Sequence, residues 1–99
     1  MIRHIVSWNY KSGFSPDQNK ENALRIKKEL EDLIWKIDGI IELQVYTDVL
    51  ASSNRDIVLN SLFESEEVLD AYHINPAHKA IASFIDLVMQ DRICVDCDE

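Results

Sequence analysis

The segment Tyr72-His73-Ile74-Asn75-Pro76-Ala77-His78 holds the side chains of this chain best suited to moving a proton. Asn75 can cap a helix by accepting a backbone N–H, and Pro76 fits the first helical position. His78 is then the third residue of that helix and lies near the positive end of its dipole. That position disfavours the imidazolium form. A neutral imidazole accepts protons, so His78 is a candidate general base. Tyr72 closes the preceding helix, and the break at Asn75-Pro76 can fold it back toward His78. His4 is the third candidate. It shares an apolar strand face with Val6, Trp8 and Tyr10, so it can approach His78 across a gap between sheet and helices. Val6, Trp8, Phe63, Asn75 and Phe84 are the expected wall of a pocket there, concave and mostly apolar with a few polar groups. His73 is expected to be exposed and uninvolved. A packed core without chemistry would use the same residues equally well.

Cys94 and Cys97 form a C-x-x-C string. Redox pairs of this type sit at helix N-termini, where the thiolate is stabilised. Here Arg92, Ile93 and Val95 flank the pair as in a strand, so the two side chains point to opposite faces. There is no second cysteine pair to complete a tetrahedral metal site. No metal and no cofactor are expected.

The elements that position these residues follow from periodicity. Ile2, His4, Val6, Trp8 and Tyr10 alternate with Arg3, Ile5, Ser7 and Asn9 in a first strand over residues 2–10. Ser15-Pro16-Asp17-Gln18 is a helix start with a capping box. Ala23, Leu24, Ile26, Leu30, Leu33, Ile34 and Ile37 recur at helical spacing after it. Gly39 is a natural left-handed stop. A second strand covers 40–49, with Ile41, Leu43, Val45, Thr47 and Val49 on one face. A third covers 56–64, with Ile57, Leu59 and Phe63 together. Ser65-Glu66-Glu67 opens a second helix that breaks and restarts at Asn75-Pro76, and residues 92–98 form the last strand. The order β-α-β-β-α-β predicts a ferredoxin-like α+β domain with one four-stranded antiparallel sheet and helices on one face. One domain over residues 1–99 is expected.

The sheet face away from the helices would carry Ile5, Tyr46, Val58 and Leu62 among Arg3, Ser7, Gln44 and Asn60. That mixture is too apolar for water alone and too polar for an ordinary core. A chain of 99 residues also has a thin core. A second copy packed sheet on sheet would answer both, so a homodimer is expected.

A net charge of −8 with scattered basic residues argues against nucleic acid, whose phosphates need clustered Lys and Arg. No apolar run approaches the roughly 18–20 residues of a membrane span. Met1-Ile2-Arg3-His4 does not open a signal peptide, which makes a cytoplasmic location the expectation.

Met1-Ile2-Arg3-His4-Ile5-Val6, Asp56-Ile57-Val58-Leu59, Phe63-Glu64-Ser65-Glu66-Glu67, Tyr72 and Asn75-Pro76-Ala77-His78 together resemble the stress-responsive A/B barrel (Dabb) domain along almost the whole chain. The resemblance implies a ferredoxin-like domain that dimerises into a β-barrel with helices outside. Many members have no assigned reaction, which implies a dimer of undefined activity with a small apolar ligand. Resemblance to one member, olivetolic acid cyclase, implies an intramolecular aldol condensation of a poly-β-keto thioester. His78 would be the base, Tyr72 would hold it and the substrate, and His4 would lie in the same pocket. A cofactor-free monooxygenase of the dimeric barrel type is a third possibility. The chain departs from the motif at Asn75, where a histidine is usual, and Asn cannot titrate.

Overall fold

The structure is a computed structural model that describes all residues from Met1 to Glu99. Its elements are β1 (Ile2–Tyr10), α1 (Pro16–Glu31), a 3-10 turn (Asp32–Trp35), β2 (Ile40–Tyr46), β3 (Ile57–Phe63), α2 (Glu66–Ile74), α3 (Pro76–Val88) and β4 (Met89–Asp98). Local chemistry accounts for most of the boundaries. Ser15 accepts from the Gln18 amide while the Gln18 side chain accepts from the Ser15 amide, closing the capping box of α1. Ser65 caps α2, and Asn75 ends α2 while capping α3 through the Ala77 amide. No helix is long and apolar enough to cross a membrane.

The four strands form one antiparallel sheet in the order β2-β3-β1-β4. This is the ferredoxin-like α+β fold anticipated from the element order. The core lies between the sheet and the helices. Ile26, Leu30 and Leu33 from the first helical segment meet Val6, Val45, Ile57, Leu59 and Phe63 from the strands, all nearly free of solvent. Leu24, counted above with the buried stripe, is exposed on the outer side of α1.

Two strand readings need correction. Pairing between β2 and β3 shifts between Ile40 and Glu42, so Ile40 is buried and Ile41 points outward. A bulge reverses side-chain parity, which simple alternation cannot foresee. β4 begins at Met89, directly after α3, and its pairing with β1 shifts between Ser7 and Asn9. Asp91 lies opposite that irregularity with φ at 58°, a left-handed conformation rare outside glycine. Arg55 holds the region by donating to the Ser7 hydroxyl, the Ser7 carbonyl and the Asp91 carbonyl.

The register arranges the outward sheet face in rows. Gln44, Asn60, Ile5 and Val95 form one, and Tyr46, Val58, Ser7 and Ile93 the next. Arg3, paired with Glu42 on the far side of β3, covers Leu62, which explains why Leu62 is buried on an outward face. Ile93 is 51% exposed and Val95 46% exposed, so β4 adds to this face two apolar side chains that water covers in the single chain.

Candidate functional site

His4 lies on the helix-facing side of β1 and is 1% exposed. Its cross-strand neighbours are Ser61 on β3 and Asp96 on β4. Ser61, fully buried, donates its hydroxyl to the His4 carbonyl. The ring is fixed through Nδ1, which stands 2.5 Å from Asp96 Oδ1. Burial works to raise the Asp96 carboxyl, but the hydrogen bond and charge of His4 outweigh it, and the carboxyl is held below its ordinary value.

Tyr72 and His73 come from the last turn of α2, and His78 from the first turn of α3. The break at Asn75 turns the chain so that the Tyr72 and His78 rings stack with centroids 4.3 Å apart. His73 lies 5.5 Å from His78 and 5.2 Å from His4, centroid to centroid. Three imidazoles therefore gather around one phenol. The His73 carbonyl can only accept, so the 3.3 Å contact from His78 Nδ1 puts the proton on that nitrogen. The lone pair of His78 is then on Nε2. Burial lowers the His78 pKa, its bond to the His73 carbonyl offsets part of this, and the other imidazoles and Arg92 lower it further. His73 is lowered by burial, then by His4 and Arg92. Burial pushes the Tyr72 phenol well above its ordinary value. Its hydroxyl is buried and has no hydrogen-bond partner.

These side chains line a cavity of about 70 Å³ between sheet and helices. Val6, Trp8, Leu30, Leu59 and Ile85 form its apolar wall, and His4, Tyr72, His73 and His78 its polar one. Ala82, Asp86 and Arg92 complete the lining, the last two as exposed rim residues.

The structure thus brings His4, Val6, Trp8, Tyr72 and His78 to one cavity. It does not bring Phe63, Asn75 or Phe84 to the wall. Phe63 packs edge-on behind His4 and Tyr72, with centroids 5.9 and 4.9 Å away. The Asn75 side chain is used in capping. Phe84 packs half-buried against the core outside the cavity, with the Arg25 guanidinium 3.8 Å above its ring. His73, read as uninvolved, is half-buried on the wall. Its signal was adjacency to Tyr72 at a helix end, where the chain turns. Arg92 was legible by parity, two residues from Cys94 and four from Asp96 on one strand face.

Both cysteines are free, and the register puts them on opposite faces of β4. Cys94 shares the helix-facing side with Asp96. His4, Cys94 and Asp96 bring three ligand-type atoms within 4.8 Å of one another.

Residues 2–99 match the family described as the Stress responsive A/B Barrel Domain, Dabb. The chain belongs to the Dabb family. This Dabb chain is similar to a dimeric protein of unknown function and ferredoxin-like fold from Bacteroides fragilis, at 22% identity and a TM-score of 0.92, covering 99% of this chain and 95% of that one. It is also similar to hydroxynitrile lyase from Passiflora edulis, at 18% identity and a TM-score of 0.78, covering 97% and 90%. A third similar structure is an antibiotic biosynthesis monooxygenase, at 16% identity and a TM-score of 0.79, covering 100% and 98%. At these identities the likeness is one of fold. Comparison with curated proteins found no match to the chain.

Proposed function

We propose that this Dabb protein works as a cytoplasmic homodimer in which each copy holds a small molecule, mostly apolar with one polar group, in the hollow beneath its helices. The observation that carries this reading is the Tyr72 hydroxyl. A buried hydroxyl without a partner costs about 1–3 kcal/mol, and a ligand oxygen or nitrogen would recover that cost. Five apolar side chains opposite the imidazoles would take the remainder of the ligand. The volume favours a compact molecule. Pockets for drug-sized ligands run to roughly 300–1,000 Å³, so a poly-β-keto chain is a poor match to a cavity of about 70 Å³. Free cysteines fit a reducing compartment. The dimeric Bacteroides fragilis structure and the apolar outward rows of the sheet support pairing.

A cofactor-free lyase or cyclase activity is the second reading, favoured by the tautomer of His78. Its Nε2 holds a lone pair beside a phenol able to donate, a pairing suited to taking a proton next to a carbonyl while the phenol steadies the developing oxyanion. The hydroxynitrile lyase of similar fold accords with this class of chemistry. No residue at the site speaks for oxygen chemistry, so the monooxygenase reading has only the fold in its favour.

The test uses small ketones in heavy water. Binding is read from chemical-shift changes of the Trp8 indole, and catalysis from deuterium entering the ketone α-position. Binding without exchange supports the ligand-holding reading. Exchange abolished by His78→Ala supports the catalytic one. Unchanged Trp8 signals with every small carbonyl or alcohol tried would remove both.

A further inference from the structure

We infer that His4, Cys94 and Asp96 form a binding site for a borderline divalent cation, zinc foremost, on the helix-facing side of the β1–β4 edge. The sheet register builds the site. Cys94 and Asp96 are two apart on β4 and point the same way, and His4 lies directly across from Asp96. Cys94 Sγ stands 3.8 Å from His4 Nδ1 and 3.6 Å from Asp96 Oδ2. A tetrahedral zinc ion with bonds of about 2.0–2.3 Å separates a sulfur from a nitrogen or oxygen ligand by about 3.6 Å. With Asp96 Oδ2 as the carboxylate ligand, the sulfur already stands close to that length from both the nitrogen and the oxygen. The other carboxylate oxygen, Oδ1, now shares a hydrogen bond with His4 Nδ1 at 2.5 Å. That hydrogen bond gives way when a metal replaces the shared proton, which an exposed carboxylate at a sheet edge can accommodate.

Charge and chemistry agree with the spacing. Imidazole nitrogen, thiolate and carboxylate together suit a borderline metal. On binding, the Cys94 thiol releases its proton to solvent, and one thiolate plus one carboxylate neutralise a dication. His4 is buried and fixed, so one ligand is ordered in advance. The other two are exposed on the open side of β4, leaving a coordination position free for water or for His73, whose ring centre is 5.2 Å from that of His4. The adjoining hollow is lined by Glu66, Asp70, Asp96 and Asp98, an acidic approach that draws cations. The strand separates the C-x-x-C pair onto its two faces, as the sequence spacing anticipates. Cys94 has an imidazole and a carboxylate as neighbours instead.

This site shares His4 with the cavity wall but does not rest on the small-molecule reading, and it stands even if the cavity binds nothing. The experiment is a titration of the full chain, reduced with a phosphine, with cobalt(II) alone. One equivalent per chain is expected to give thiolate-to-cobalt charge transfer in the near ultraviolet and intense tetrahedral bands in the visible, both bleached by added zinc. Cys94→Ser should abolish the charge-transfer band, and Asp96→Asn should weaken cobalt binding at least tenfold. Cys97→Ser, on the opposite sheet face, should leave the spectrum unchanged. Circular dichroism of each variant checks the fold. A wild-type spectrum without charge transfer, a band that survives Cys94→Ser, or one lost in Cys97→Ser overturns the assignment.

Discussion

His4 and Asp96 are 92 residues apart in sequence, and His4 Nδ1 lies 2.5 Å from Asp96 Oδ1. The contact joins the first strand to the last and locks a buried imidazole. Because the fold lowers the Asp96 pKa, the folded chain binds fewer protons than the unfolded chain just below the ordinary value of 3.8. The stability contributed is complete above that value and is lost as pH falls through the lower folded one. Asp96 is 45% exposed at its side chain, so solvent screening limits the contribution to under about 1 kcal/mol. Asp96→Asn should flatten the acid limb of urea-unfolding stability by that amount. The Asp96 carboxyl carbon should titrate below 3.8 by NMR.

The histidines at the helix break give a second acid limb at higher pH. Burial lowers both His73 and His78 from 6.5, so the unfolded chain takes up protons there before the folded one does. Stability from this source is present above 6.5 and declines as pH falls toward the folded values. At His73 the facing groups are His4, Arg92, Asp96 and Asp70, of which only the acids oppose the shift, and at His78 the hydrogen bond to the His73 carbonyl opposes it. The double variant His73→Gln, His78→Gln should lose most of the decline in urea midpoint below 6.5. Any exchange activity dependent on His78 should have its acid limb below 6.5 as well.

Removing one oxygen at Tyr72 separates stability from binding. The hydroxyl makes no hydrogen bond within the chain, so Tyr72→Phe should be neutral or stabilising by up to about 1 kcal/mol in urea unfolding. The same change should weaken binding of a small carbonyl or alcohol several-fold. A loss of about 2 kcal/mol or more in the free protein would show that the hydroxyl has a stabilising partner in solution.

Gly39 and Gly13 both have left-handed φ, at 90° and 99°, yet their surroundings differ. A Cβ at Gly39 would meet the Val68 methyls at 2.7 and 2.8 Å, whereas one at Gly13 meets nothing within 4 Å. Gly13→Ala should cost about 1 kcal/mol from backbone strain alone. Gly39→Ala adds overpacking where the turn before β2 meets α2 and should cost about 2–5 kcal/mol. Thermal melts of the two variants compare them directly.

The outward sheet face gives a test of pairing. Val95 stands in a row with Ile5, and Ile93 beside Ser7 and Val58. A charge at Val95 would be desolvated by a second sheet and costs little in a monomer. Val95→Glu should shift sedimentation from dimer to monomer while circular dichroism stays the same. A wild-type chain that sediments as a monomer would end the homodimer reading.

Local rules made much of this chain legible in its sequence. Ser15 and Gln18, and Asn75 and Pro76, act on backbone within a few residues of themselves, so their spacing alone set those helix ends, whereas the first helix stops at Glu31, ahead of the expected stop at Gly39. Alternation put His4 with Val6 and Trp8 on one face, because side chains two apart on a strand point the same way. What lay beyond the sequence depended on partners distant along it. Pairing of β4 with β1 decided that His4 meets Asp96 and Cys94, since the register between strands comes from long-range packing. The irregularity beside Asp91 at positive φ belongs to that pairing too, and the one that turns Ile41 outward belongs to the pairing of β2 with β3. The angle between α2 and α3 brought His73 to the cavity and left Phe84 outside it, because packing against the sheet sets how two capped helices meet and the caps do not.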